Sequence, residues 1–173
     1  MELNIRNKWI SLGGSSVVRD VEEKDVMKVK GRIFSFTRKK FVQDLEGNTK
    51  FIVRNKFWRL FRYSAFILDA NKQKVCTVKR KIFSLHDHYF IESSLGDLQI
   101  RGNILLYNYQ VLLDGKEVGH IARNISLRDS YRLTIDDKFD MYTFVALVIA
   151  IDNISDRRRS DASNSSSFSS SSD

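Results

Sequence analysis

Residues 139–154 read FDMYTFVALVIAIDNI, and this stretch decides the fold. From Met141 to Ile151 only Thr143 falls outside the apolar set. Asp136, Asp137 and Asp140 gather at its start, where carboxylates accept hydrogen bonds from free backbone N–H groups and oppose the helix dipole. Arg157, Arg158 and Arg159 follow its end, where the same dipole favours cations. β-Branched residues lower helix propensity, but the length and the charge asymmetry favour a helix over a strand. A helix apolar on every face has to be buried in protein or in lipid. The run from Met141 to Ile151 rises roughly 16 Å, whereas a bilayer core spans about 30 Å, so it reads as a core helix rather than a membrane span.

Upstream of that helix a different pattern recurs. The units KKFVQDLEGNTKFIVRNK, SAFILDANKQKVCTVKRK, HYFIESSLGDLQIRGN and YQVLLDGKEVGHIARN each run a strand into a turn and return on a second strand, and a last half-unit, DSYRLTIDD, precedes the helix. The turn centres Gly47, Asn71, Gly96 and Gly115 are residue types that accept the positive φ of tight hairpin turns. The strands are rich in Val, Ile, Phe and Tyr, as half-buried pleated surfaces favour. Connections such as NKFWRLFR and RKIFSLHD are too short for crossover helices, so the sheet is predicted to be antiparallel. About ten to twelve such strands curl into a barrel or a sandwich, and a greasy helix following them can plug a closed barrel.

These patterns divide the 173 residues into a lead-in at 1–25, a barrel domain at 26–155 that includes the helix at 139–154, and a disordered serine-rich tail at 156–173. The lead-in holds one apolar strand candidate, Lys8 to Leu12, and the turn Gly13-Gly14-Ser15-Ser16, which lacks the lysine of a phosphate-binding loop. A single cysteine, Cys76, excludes an internal disulfide, and the first residues show no signal-peptide pattern. A cytoplasmic monomer is the expectation, with peripheral membrane contact.

Charge is unevenly placed. The net charge is +8, yet residues 28–81 alone hold 16 Lys and Arg against Asp44, Glu46 and Asp69. The same stretch carries Phe34, Phe36, Phe41, Phe51, Phe57, Trp58, Phe61, Tyr63 and Phe66. Cations interleaved with aromatics suit phosphate backbones or anionic headgroups, while cations on the outer positions of a strand also keep it soluble. The candidate anion-binding residues are Arg38, Lys39, Lys40, Lys50, Arg54, Lys56, Arg59, Arg62, Lys79, Arg80 and Lys81.

No catalytic constellation appears. His86-Asp87-His88 would place both imidazoles on one side of a strand, but no third ligand accompanies them, and a polar turn is the plainer reading. Cys76 sits in the apolar strand KVCTV and reads as a small buried hydrophobe. No nucleophile elbow, Walker loop, dinucleotide fingerprint, zinc finger or EF-hand is present. The chain is therefore expected to be non-enzymatic, with no cofactor and no metal.

The runs VKGRIFSFTRKKFVQDLEGN, VKRKIFSLHDHYFIE and FVALVIAIDNI resemble the LURP-one-related family of the tubby C-terminal-like superfamily over about residues 26–154. The matching positions are Val29, Gly31, Phe34 and Ser35, then Asp44, Gly47 and Asn48, then Ala146 to Asp152. The resemblance implies a closed twelve-stranded barrel around a central hydrophobic C-terminal helix. Related modules include phosphoinositide-binding tubby domains and phospholipid scramblases, and plant LURP-one-related proteins are associated with defence. Asp69-Ala70-Asn71-Lys72 stands where the family often has a glycine turn. Neither a tubby phosphoinositide motif nor the cysteine- and proline-rich region of scramblases has a counterpart here, so no ligand residues carry over. The expected function is binding of anionic phospholipid or a membrane surface through the basic face of residues 28–81. Nucleic-acid binding, with Trp58 and Phe61 as stacking platforms, and a protein-interaction scaffold are the alternatives.

Overall fold

The computed structural model describes residues 1–6, 15–32, 37–56, 63–80, 87–93, 96–103, 108–124 and 130–166. Twelve antiparallel strands close into a barrel: β1 (Glu2–Arg6), β2 (Ser15–Asp20), β3 (Asp25–Gly31), β4 (Lys40–Gln43), β5 (Thr49–Asn55), β6 (Ser64–Asp69), β7 (Lys74–Arg80), β8 (Asp87–Ser93), β9 (Leu98–Asn103), β10 (Asn108–Leu113), β11 (Lys116–Asn124) and β12 (Ser130–Ile135). Each strand pairs with its sequence neighbours, and β1 meets β12 from Glu2↔Thr134 to Arg6↔Ser130, which removes every sheet edge. The expected architecture is the one found.

Residues 1–25 differ from a lead-in, because they supply the first two staves of the wall. Leu3 and Ile5 of β1 and Val18 of β2 are fully buried. ELNIR is only one short alternation, and its register comes from the long-range pairing with β12. The strand proposed at Lys8 to Leu12, and Gly13 and Gly14, lie outside the described residues.

The repeat also begins one hairpin earlier than the sequence shows. In the β2–β3, β4–β5 and β6–β7 turns an aspartate (Asp20, Asp44, Asp69) accepts the backbone N–H of the fourth residue on, at 3.0, 2.8 and 2.8 Å. The residue before that donor, Glu23, Gly47 or Lys72, has φ of 60°, 96° or 65°. In the β6–β7 turn the positive φ thus falls on Lys72 rather than on Asn71. A glycine takes this conformation without penalty, whereas a side chain there costs about 1–2 kcal/mol.

The helix α1 (Met141–Ser166) starts where Asp140 caps it: Oδ2 accepts the Thr143 N–H and the Thr143 hydroxyl, each at 2.7 Å. Asp136 instead holds the preceding turn, and Asp137 pairs with the N-terminal ammonium at 2.9 Å. The helix runs past Ile154 into the serine-rich segment, so residues 156–166 are helical rather than a disordered tail. Each added residue of a nucleated helix gains a hydrogen bond, and this propagation was left out of a reading based on apolar burial alone. Residues 167–173 lie outside the described residues.

Every side chain from Phe144 to Ile151 is at most 6% exposed, which places α1 inside the barrel. A closed sheet of this size leaves a lumen wider than side chains alone fill, and a helix about 10 Å across occupies it. The buried stretch, 143–155, rises about 20 Å, close to the span of a six-residue strand. The helix lies nearest β5 and β6 and also touches β4 and β7. At β11 a glycine makes room for the helix: a Cβ on Gly119 would lie 2.2 Å from Cε2 of Phe144. Among the described residues, no helix is long and apolar enough to cross a membrane.

Candidate functional site

The strand register sorts the basic residues into distinct places. The alternate connections β2–β3, β4–β5, β6–β7, β8–β9 and β10–β11, together with the turn into α1, form one rim, here called proximal; the opposite, distal rim holds the exit of the helix. On the outward-pointing side of β3–β6 runs a row of cross-strand partners, Lys30–Phe41–Ile52–Leu68, which Lys74 continues on β7; within it Ile52 and Leu68 are buried. The row towards the distal rim pairs Arg54 with Phe66, and Phe66 with Thr77. Cations cover the aromatics: Lys39 Nζ lies 5.8 Å from the Phe41 ring centre, and the Phe66 ring has the Arg54 guanidinium at 5.7 Å and Lys74 Nζ at 5.9 Å. Such contacts keep the charge over an apolar surface while leaving its outer side open to an anion.

Of the sequence-predicted residues, Lys39 and Arg54 therefore share this outer face, and Lys56 stands exposed at its distal edge. Lys50 lies at the proximal rim, 3.1 Å from Asp44 and 5.9 Å from the Tyr142 ring centre. Asn48 and Lys50 hold the Asp44 carboxyl down to about 2. Lys79 is on the outer surface but bonded to Glu92. Arg80 ends β7 in register with the buried Tyr89. Arg59, Arg62 and Lys81 lie outside the described residues, as do Trp58 and Phe61. Lys30 and Lys74, which belong to the face, were passed over because outward direction is fixed only by pairing. The alternation Lys28-Val29-Lys30 was the available signal.

Arg38 and Lys40 do not join the outer face. Lys40 points inward beside Val42, and its Nζ donates to Asp152 Oδ2 of α1 at 3.3 Å, with both side chains 10% exposed. Arg38 Nη1 meets Asp156 Oδ2, one helical turn further on, at 3.2 Å. Hydrogen bonds to backbone carbonyls complete the clasp. Asn153 Nδ2 donates to Arg38 O at 3.0 Å, Asn55 Nδ2 donates to Asn153 O at 3.1 Å, and Arg157 Nη1 donates to Lys56 O at 2.7 Å. Arg38 has a φ of 49°, an unusual backbone for a non-glycine. Burial pushes the Asp152 pKa up more than Lys40 pulls it down. Burial, then the neighbouring Asp152, pushes Asp156 up to about 6 against the pull of Arg38 and Lys40.

A small apolar pocket of about 20 Å³ lies between α1 and the β10–β12 wall, lined by Tyr109, Ile121, Tyr131, Val148, Ile151, Asp152 and Ser155. That is room for about one water molecule, too little for a carried ligand. Cys76 faces the core, 1% exposed, and burial pushes its thiol up, away from the thiolate a nucleophile needs. His88 is half-buried on β8, His86 lies outside the described residues, and no metal-ligand cluster occurs among the described residues.

A closed barrel threaded by its own C-terminal helix frames the comparison with known proteins. The sequence profile of LOR, the LURP-one-related family, matches residues 1–152. This chain belongs to the LURP-one-related family. The match takes in residues 1–25, in keeping with β1 and β2 as staves of the barrel. Among relatives, the chain is 28% identical over 157 residues to the uncharacterized protein YxjI of Bacillus subtilis (strain 168), covering 89% of this chain and 93% of that one. The X-ray structure of the Arabidopsis thaliana protein AT5G01750 shares the fold, with a TM-score of 0.61 at 17% identity over 87% of each chain.

Proposed function

We propose that this LURP-one-related barrel is a non-enzymatic binding protein that docks peripherally on anionic phospholipid at the cytoplasmic side of a membrane. The observation that supports the reading is the outer face of β3–β7, where Lys30, Lys39, Arg54 and Lys74 stand around the half-buried rings of Phe41 and Phe66. An amphipathic surface of this kind suits the headgroup layer, with cations on phosphates and ring edges among the glycerol carbons. Each cation near an anionic leaflet contributes about 1 kcal/mol.

Flotation of the full chain with neutral and phosphatidylglycerol-containing vesicles, across a salt series and with RNA as competitor, tests the reading. Salt-sensitive binding to the anionic vesicles is expected, and the triple change Lys30→Glu, Arg54→Glu, Lys74→Glu should abolish it. Unchanged binding by the triple variant would remove this face from consideration. Equal displacement by RNA would make the face a general polyanion binder. Absence of binding to either would turn attention to protein partners.

A further inference from the structure

The cations of the outer wall differ in what holds them. Lys79 is bonded to Glu92, Lys50 to Asp44, and Arg19 to Asp25 and Glu23. Arg54 and Lys74 have no carboxylate partner among the described residues, yet both are drawn to one ring. Phe66 stands between the core residues Ala65 and Ile67, so its half-buried ring points outward. The Arg54 guanidinium reaches it from β5, 5.7 Å from the ring centre, and Lys74 Nζ from β7, at 5.9 Å. The Arg54 Nε is buried and has no hydrogen-bond partner, which is costly for an N–H group. Two like charges brought to one ring repel each other, and an anion seated over the ring between them turns that repulsion into attraction.

We propose that Arg54, Lys74 and Phe66 form a notch for one phosphomonoester, a phosphate with a single organic substituent. The inference rests on the lipid-surface reading given above and deepens it: the face selects a terminal phosphate instead of responding to negative charge in general. A terminal phosphate offers three outer oxygens and up to two charges, so it accepts from Arg54 on one side and Lys74 on the other at once. A phosphodiester offers two such oxygens and one charge, with an organic chain on either side. The guanidinium supplies paired N–H donors in one plane, and Lys74 supplies a mobile point charge. Phe66 is the apolar floor on which the carbons of the substituent rest. Because the ring already holds the guanidinium in place, little side-chain order is lost on binding.

The other charges of this wall leave the notch cationic. Along the row Arg54–Phe66–Thr77 the next partner is Glu92 on β8, whose carboxylate is bonded to Lys79. Asp69, in the β6–β7 turn, accepts the Gln73 N–H. Lys39 covers the Phe41 ring, and Lys30 faces Phe41 across the β3–β4 pair. Lys30 is thus a cation of the same face that stands outside the notch.

The test uses the full chain and two sets of phosphatidylcholine vesicles matched for surface potential, one with phosphatidic acid, a phosphomonoester, and one with phosphatidylglycerol, a phosphodiester. Wild type should partition about tenfold more tightly onto phosphatidic acid, the worth of one charge-assisted hydrogen bond gained. Arg54→Gln and Lys74→Gln should each lose that preference. Lys30→Gln removes the same charge from the same face, and should weaken binding to both sets alike while keeping the preference. Lys74 is exposed, so Lys74→Gln reports on the notch even if Arg54→Gln folds poorly. Glycerol 3-phosphate as competitor separates the two sources of the group. Displacement from phosphatidic acid shows a notch that takes the phosphate free or on a lipid, and a preference without displacement shows one that takes the lipid headgroup.

Equal binding to both vesicle sets, or an equal effect of all three substitutions on the preference, overturns the notch and leaves the lipid-surface reading in place. Should wild type bind neither set, the lipid-surface reading fails, and the notch is judged by NMR titration with glycerol 3-phosphate. There saturable shifts of the Arg54 side-chain resonances that weaken in Lys74→Gln support it, and resonances that do not move overturn it.

Discussion

Replacing Gly119 by alanine should destabilise the protein by about 2 kcal/mol, although the residue is one of the smallest changes available. Gly119 is in β11 and faces inward, opposite Ile135. An added Cβ would stand 2.2 Å from Cε2 and 2.7 Å from Cζ of Phe144, and 2.9 Å from the Thr134 carbonyl oxygen. Ordinary contact needs about 3.5–4.0 Å, so the ring must retreat by more than an ångström. It has nowhere easy to go, because Phe144 is fully buried and stacks edge-to-face on Phe139 at 6.2 Å between centres. Overpacking of this kind costs about 1–3 kcal/mol. Phe144→Leu, which removes the two clashing atoms, should cost about 1.5 kcal/mol alone by leaving a small cavity. The double variant should then lose about 2 kcal/mol rather than the sum of about 3.5, since leucine vacates the space that the alanine methyl needs. The Thr134 contact keeps the recovery partial. Urea unfolding with a common m-value measures all three, and in thermal scans Gly119→Ala should lower Tm by about 4–8 °C. If Gly119→Ala is neutral, or the two changes add, α1 does not press on β11 at this level.

Lys40→Met should cost about 3 kcal/mol near neutral pH, because it strands a buried Asp152, and adding Asp152→Leu should recover most of the loss in urea titrations. Asp156→Asn should change how stability depends on pH. Its folded acid constant of about 6 lies above the ordinary 3.8, so the native state holds the extra proton in between. The wild type therefore loses about 3 kcal/mol through this group as pH rises from about 4 through about 6, and the variant should lose that much less, keeping only the decline due to the buried Asp152; parallel profiles would refute the assignment. Lys72→Gly should raise stability by up to about 1 kcal/mol by relieving a φ of 65°, while Asn71→Gly should not, as thermal unfolding would show.

The parts of the fold written in local chemistry were legible. The helix declared itself by an unbroken apolar run, and the hairpins by their turn residues and alternation. What stayed hidden depends on pairing between distant segments. ELNIR is indistinguishable from a polar leader until Leu3 meets Leu133 and Asn4 meets Arg132 across the closing seam. The direction of each basic residue is hidden for the same reason: Lys39 and Lys40 are neighbours in a basic run, yet one covers Phe41 outside while the other reaches Asp152 inside. Strand register, a one-residue matter, separates a surface cation from a core one. Nothing local marks Asp152 and Asp156 as ion-pair partners, because the wall facing them comes from more than a hundred residues earlier.

One consequence of the hairpin chemistry reaches the whole molecule. Asp20, Asp44, Asp69, Asp114 and Asp136 all lie at turns of the proximal rim, because a short turn is well made by a carboxylate that accepts a nearby backbone N–H, and Asp97 stands beside them, its own N–H donated to Asp114. The opposite strand ends carry Arg32, Lys39, Lys56 and Arg80, and α1 delivers Arg157 to the same rim. Turn chemistry at one end thus leaves the barrel electrically polar along its axis, acidic where the helix begins and basic where it leaves. The helix dipole does not oppose this arrangement, since its negative end meets the basic rim and its positive start the acidic one. An anionic surface would repel the proximal rim and attract the distal one, orienting the barrel before any contact forms. The outer face of β3–β6 would then meet that surface with Arg54 and Phe66, the pair nearer the distal rim, ahead of Lys30 and Phe41.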